Sequence, residues 1–379
     1  MSSSRKPAGR PAAKHREVFR LLEKGIRSGQ YGLGSQLPTE AILVEQLGYS
    51  RPTIARAMRD LQDLGLIERR PGAGSFVRRG SAKKNAAATL GLLVPELGCG
   101  DIFDPICAQI ARRVQREQIG LMWGDAGASQ LHATGGVGRL DAHPEAAVHA
   151  AERLIVQAVS GVFFVPLSGP GLDAQTNQHI LKLFASAGVS VVLLDRDIEG
   201  FPARSEFDLV SVDHLQGQYR LTEHIVAAGH RRIVYLQWPG HTDSLLKRVS
   251  GMRACLAASG CEGLVIKGDA ADTRFIGDLI DAHSPDVIMC ENDMVATRLM
   301  QTLAGLDVKV PADLSVAGFN DISLAQHLSV PLTTVRQPCQ DLGDAAVEAM
   351  RLRIEEPRRP PRTMLLDAQL AVRESVAQR

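Results

Sequence analysis

The stretch from Leu33 to Val77, LGSQLPTEAILVEQLGYSRPTIARAMRDLQDLGLIERRPGAGSFV, constrains this 379-residue chain more than any other part of it. Its caps, turns and apolar spacing fit one compact arrangement. Just before it, Val18, Leu21, Leu22, Gly25 and Ile26 recur at helical spacing, which predicts an amphipathic helix over His15–Ser28 ended by Gly29. Gly32 and Gly34 mark a turn. Thr39, following Pro38, can cap a second helix that runs through Ile42, Leu43 and Leu47 and stops at Gly48. Ser50 caps a third, in which Pro52 falls in the first turn, where an N–H would lack an intrahelical partner anyway. There Ile54, Ala57, Met58, Leu61 and Leu64 share one face, which must be buried against the first two helices. Gly65 closes the helix, and Leu66–Arg70 and Ser75–Arg79 read as two short strands around the turn Pro71-Gly72-Ala73-Gly74.

This arrangement leaves Ser50, Arg51, Thr53 and Arg56 near the exposed N-terminal end of the third helix. A helix N-terminus attracts phosphate, and an arginine fork fits guanine O6 and N7 in the major groove, so Arg51 is the first candidate for a base contact. The two glycines of the hairpin allow a tight tip whose backbone can approach a phosphate, flanked by Arg69, Arg70, Arg78 and Arg79. Charge agrees with this reading. Of 43 Lys and Arg and 42 Asp and Glu, residues 1–84 hold 17 and 7, leaving 26 and 35 for the remainder, so a basic front is joined to an acidic body.

In these residues the module resembles the winged helix-turn-helix of the GntR family of bacterial transcription regulators. The resemblance implies DNA contacts from Thr39, Ser50, Arg51, Thr53, Gly72 and Gly74, to which the charge reading adds Arg56 and Arg70. One position departs from the family pattern: Ala41 follows the Glu of the P-[ST]-E motif, where many members have Arg.

Residues 1–13 read as a flexible basic tail, 14–79 as the winged module and 80–88, within the basic small-residue run RGSAKKNAAA, as a linker. From Thr89 onward the apolar runs LGLLVP, GLMWG, GVFFVP, VSVVLLD, DLVSV, RIVYL, GLVIK, DVIMC and SVAGF alternate with helical patterns. Short buried strands alternating with helices predict an α/β fold of parallel sheets covered on both faces, with too much chain for one sheet.

The blocks VSVDHLQGQYRLTEHIVAAGHRRIVYL, KRVSGMRACLAASG, DVIMCENDMVATRLMQTLAGLDVKVPADLSVAGFNDI and VPLTTVRQP resemble the effector domain of LacI-type repressors and the related periplasmic sugar-binding proteins. That likeness implies a two-lobed, type I periplasmic-binding-protein-like domain over 89–379. The lobes are expected at about 89–212 with 334–365, and 213–333 with 366–379, with three crossovers near Val212, Thr333 and Leu366. It also implies a dimer that takes a small ligand between its lobes. Ligands of open parallel sheets sit beyond the carboxyl ends of strands. That rule points to Asp195, Arg196, Asn292, Asp293, Asn320 and Asp321, and the resemblance adds Arg248 to Asn292 and Asn320. Phe103, Trp238 and Phe319 are candidate aromatic covers for a sugar ring. Asn320 stands where the family usually has Asp. The glycine-rich stretch Gly124–His143 is a candidate flap or a solvated insertion.

The six cysteines (Cys99, Cys107, Cys255, Cys261, Cys290, Cys339) lack CxxC spacing and read as core residues of a reducing cytoplasm, with no metal site. His214, His224 and His230 are expected at the surface or in caps. No export signal and no apolar run of about 18 residues is present, so the cytosol is expected. G-x-S-x-G, P-loop, G-x-G-x-x-G and H-E-x-x-H motifs are absent, and neither an enzyme nor a cofactor is expected.

These features predict a homodimeric repressor on a palindromic double-stranded operator, controlled by a monosaccharide, particularly a pentose. A nucleoside or purine effector, and a DNA-binding domain fused to a catalytic one, are the alternatives. A sugar receptor without a DNA role is disfavoured by the basic module.

Overall fold

The computed structural model describes residues 11–27, 31–32, 34–63, 66–70, 74–77, 89–94, 102–124, 144–167, 174–238 and 242–379. Gly72, Gly65, Leu64, Arg78, Arg79, Cys99, the 80–88 linker and nearly all of the glycine-rich stretch lie outside them. The chain divides into two units, Met1–Ala88 and Thr89–Arg379.

In the first unit, helices α1 (Pro11–Arg27), α2 (Glu40–Leu47) and α3 (Arg51–Asp63) precede the antiparallel pair β1 (Ile67–Arg70) and β2 (Gly74–Val77). The helix α1 starts four residues before the predicted His15. The caps behave as their chemistry requires: Thr39 Oγ1 accepts from the Ile42 N–H, and Gly48 ends α2 with φ 69°, a conformation open to glycine at no steric cost. The core is the expected apolar face of α3, with Ile54, Ala57, Met58 and Leu61 buried against Val18, Leu22, Leu37 and Leu43.

The second unit contains two parallel sheets. The larger has strand order β13-β7-β6-β5-β3-β4, from β3 (Thr89–Leu93), β4 (Gly120–Gly124), β5 (Gly161–Phe164), β6 (Ser190–Leu194), β7 (Asp208–Val212) and β13 (Thr363–Leu366). Alternation decides its two faces. Leu92, Phe163 and Val192 pack on α4 (Phe103–Arg116) and α11 (Cys339–Glu355), while Val162, Phe164 and Leu193 pack on α5 (Pro144–Val156) and α6 (Ala174–Ser186). Both faces are covered, which is why the inner strands β3, β5 and β6 read as apolar runs.

The smaller sheet runs β11-β10-β8-β9, from β8 (Ile233–Gln237), β9 (Gly263–Lys267), β10 (Val287–Cys290) and β11 (Ser315–Ala317). Helices α7 (His214–Ala227) and α8 (Asp243–Ala258) cover one face; α9 (Thr273–His283) and α10 (Asp293–Gly305) cover the other. The α7–α8 crossing is close, since a Cβ at Gly251 would collide with the Leu215 carbonyl.

One boundary needs correction. β12 (Thr334–Arg336), expected in the first lobe, pairs antiparallel with β14 (Gln369–Ala371), and Thr333 and Arg336 form parallel bridges to Ala317 at the end of β11 and to Asn320 beyond it. The crossover therefore falls at Gln337–Pro338. The other two crossovers are held together where the Asp213 N–H donates to the Leu366 carbonyl at 2.9 Å. At the sheet edge Arg353 of α11 grips Asp208 through two contacts of 2.8 and 3.1 Å, and the Arg362 N–H adds a third at 2.7 Å.

Candidate functional site

Two surfaces carry candidate chemistry, one in each unit. In the first, the start of α3 presents Arg51 and Arg56 exposed and Thr53 half-buried, with the Ser50 hydroxyl 2.8 Å from that of Thr53. The Ser50 carbonyl accepts the first two helical N–H groups, from Thr53 and Ile54. A recess of about 380 Å³ lies between the N-terminus of α2 and the strand pair, lined by Thr39, Glu40, Arg69, Arg70 and Gly74 among others. Within it Arg69 is paired with Glu40 at 2.7 Å, whereas Arg70 is exposed, 4.7 Å above the Phe76 ring. Gly74 has φ 106°, and a Cβ there would lie 2.5 Å from Gln36 Nε2.

In the second unit the residues at the strand ends form a connected polar chain. Asp195 follows β6 with φ 67°, and Asn320 and Asp321 follow β11 with φ 123° and 52°. The other described non-glycine residues with positive φ (Gln118, Ala158, Ser284, Asp307) close helices, where such a conformation is routine. The three at strand ends are conformations held by surrounding structure, a property of sites that must aim side chains.

Asp195 lies 3.4 Å from Arg196 Nε and 3.3 Å from His214 Nε2. His214 in turn accepts from Arg248 Nε at 3.3 Å through Nδ1, which leaves its single proton on Nε2, facing Asp195. Arg248 also donates to the Glu291 carbonyl and, at 3.4 Å, to Asn320 Oδ1, which receives Gln337 Nε2 at 2.8 Å. The guanidinium stacks 3.8 Å from the Phe319 ring centre. A second contact links the same loop to α8, where Asp243 Oδ2 accepts from the Asp197 N–H at 3.3 Å and from Lys247 at 2.6 Å.

Environment sets the protonation states. Burial favours the neutral form of Asp195, but contact with His214 and the charges of Arg196 and Arg248 overcome it and hold the carboxyl well below the usual range. Burial and the Arg248 charge push His214 down, so it is neutral. Burial raises Asp293 to about 6 against the hydrogen bonds from Thr334 and Ile322.

The structure therefore brings together Asp195, Arg196, Arg248 and Asn320, with Phe103 5.7 Å from the Arg196 guanidinium. Other candidates behave differently from expectation. Asp293 is fully buried, with both oxygens taken by Thr334 Oγ1 at 2.5 Å and the Ile322 N–H at 2.9 Å, so it fastens α10 to the neighbouring turn. Phe319 is fully buried and forms a floor beneath Arg248 instead of a cover. Asn292 uses Oδ1 to cap α10 at the Val295 N–H and Nδ2 to reach Glu291. Trp238 is half-buried; its backbone N–H donates to Glu291 and its ring lies 5.9 Å from Arg298. Asp321 is clamped by Arg336 and Arg373.

His214 and His230, expected at the surface or in caps, are buried. His214 completes the polar chain, and His230 sits between Asp286 and the Ala377 carbonyl. Sequence reasoning missed His214, Glu291 and Gln337 as members of the site. The histidine two residues after the strand DLVSV is the available signal, at a strand end like the others. Among the described residues no cluster has a metal-ligand arrangement, and no helix is long and apolar enough to cross a membrane.

A basic helical module with a winged hairpin is followed by two parallel sheets whose strand ends converge on a polar chain. Residues 14–77 match the bacterial regulatory proteins of the gntR family, and residues 222–376 match the periplasmic binding protein-like domain. The chain thus joins a gntR-type module to a periplasmic binding protein-like domain.

Its relatives are regulators. Over 361 residues it is 26% identical to the arabinose metabolism transcriptional repressor of Geobacillus stearothermophilus, covering 90% of this chain and 92% of that one. It is 29% identical over 211 residues to the repressor PurR of Photobacterium profundum, 53% of this chain and 61% of that one. The chain spans less than two thirds of the length of the first curated relatives it matches. Among solved structures, a LacI family regulator from Enterococcus faecium with bound ribose aligns with 76% of this chain and 99% of its own, at 18% identity and a TM-score of 0.60.

Proposed function

We propose that this protein is a transcriptional repressor that binds a palindromic DNA operator as a homodimer in the cytoplasm and is released by a monosaccharide held between the lobes. The observation that carries the reading is the polar chain from Asp195 in the first lobe to Arg248 and Asn320 in the second. A ligand engaging those groups bears on both lobes at once, and differential affinity for two lobe arrangements is what shifts a population. On the DNA side, Arg51, Thr53 and Arg56 at the start of α3 are the proposed base-facing set. Thr39, Ser50, Arg70, Gly72 and Gly74 are proposed to position the backbone. On the ligand side, Asp195, Arg196, Arg248 and Asn320 are the proposed contacts, with Phe103 and Trp238 at the margins.

Binding rather than turnover is the proposed role of the receptor site. Full-length protein is mixed with a pool of genomic fragments and selected by mobility shift, with and without sugars. The reading expects a bound palindromic fragment that is released by one sugar class. Absence of any fragment preference in all conditions refutes the DNA role, and turnover of the released sugar refutes the non-enzymatic one.

A further inference from the structure

Arg248 is only 5% exposed, and all three of its hydrogen-bond partners are neutral acceptors: the His214 ring nitrogen, the Glu291 carbonyl and the Asn320 amide oxygen. None of the described carboxylates is in ion-pairing contact with it. Those nearby are committed elsewhere: Asp195 to Arg196 and His214, Glu291 to the Trp238 N–H and the Asn292 amide, and Asp293 to Thr334 and Ile322. A guanidinium has five N–H donors, so two remain after these three bonds.

Asn320 sharpens the picture. Its Oδ1 faces two donors, Arg248 and Gln337, and this fixes which end of the amide is which. The NH₂ end is left as a donor with no hydrogen bond among the described residues. The strand-end site thus holds a buried cation, a fixed amide donor and carboxylates that are already satisfied. A desolvated charge without a contacting counter-ion is costly, and the group that relieves it is an anion.

We propose that the effector is an anionic monosaccharide derivative, its carboxylate or phosphate group received by Arg248 and the Asn320 amide. The inference rests on the ligand-binding reading above and narrows it. Charge-assisted hydrogen bonds are about twice as strong as neutral ones, which translates to roughly tenfold or more in affinity.

Titration calorimetry of the full chain tests this with matched pairs: D-glucose against D-gluconate and D-glucuronate, and D-ribose against D-ribose 5-phosphate. One anionic arm is expected to bind at least about tenfold more tightly than its neutral parent, the arm identifying carboxylate or phosphate. The variant N320D sets a carboxylate against Arg248 and is expected to lower anion affinity by about tenfold or more. A neutral parent that binds as tightly as its anionic derivatives overturns the proposal but leaves sugar control standing. A folded N320D with undiminished anion preference also overturns it. If neither charge class binds, both this inference and the sugar reading fall. Should N320D not fold, as judged by its melting profile, the wild-type pairs alone decide.

Discussion

The two units handle arginine in opposite ways. At the start of α3, Arg51 and Arg56 extend into solvent on a helix whose other face makes the core, whereas Arg248 is enclosed, with its guanidinium bonded to three acceptors and laid on an aromatic ring. An exposed arginine can adapt to a long polyanion and gives up little hydration in doing so. An enclosed one is fixed in place before any ligand arrives, so it can discriminate among small molecules and transmit strain between the elements it joins. The same side chain serves reach in one place and preorganisation in the other.

The sharpest way to break this contrast is Arg248→Ala. Truncation leaves His214, the Glu291 carbonyl and Asn320 without their shared donor, and we expect the large unit to lose about 2–5 kcal/mol. Differential scanning calorimetry reads the loss, and effector response should vanish while operator affinity holds. An unchanged melting profile would mean that Arg248 is not the tie described. Arg51→Ala should cost about 1–3 kcal/mol on operator DNA and relax selectivity at one base pair, with no effect on the melting of either unit. Equal weakening on operator and random fragments in a mobility shift would instead make Arg51 a phosphate contact.

Gly74→Ala places a Cβ at φ 106° and against Gln36, so about 1 kcal/mol of destabilisation is expected in the winged unit alone. Chemical denaturation of the isolated 1–88 segment, if it folds, or of the full chain otherwise, measures it. The smallest effect concerns pH. The folded-state pKa of His214 is depressed below its ordinary 6.5, so the unfolded chain binds the proton more readily. Its contribution to stability is present above that value and declines as pH falls toward the folded pKa. Melting wild type and His214→Gln across pH 5–7.5 should show a shallower slope for the variant, since glutamine can bridge the same partners without titrating. Identical slopes would remove His214 from the account.

Much of the architecture is legible in the sequence. Nine apolar runs correspond to nine parallel strands, and all but the edge strands β4 and β9 are buried along most of their length, which demands apolar residues. The caps Thr39 and Gly48 announced themselves through residue chemistry. The sequence does not reveal strands β12, β13 and β14, and their length explains why: TVR, TMLL and QLA are too short for a periodicity that would separate them from loop. That omission also displaced one crossover. At the site, the strand-end rule identified Asp195 and Asn320, but it could not distinguish residues that face the opening from those that turn inward. Asp293 and Phe319 also lie within three residues of their strand ends and are wholly enclosed. Nor can spacing reveal that His214 meets Arg248, since that contact depends on the tight passage of α7 over α8 at Gly251.

The edge strand β13 has a consequence for how the chain comes to be made. It shields the open side of β7, more than 150 residues earlier in the chain, and the Arg353–Asp208 grip locks it there. On the ribosome, β7 must therefore wait with a bare edge until more than 150 further residues have been made. Slow synthesis of the intervening residues would lengthen the time for which that strand edge is open to wrong pairing.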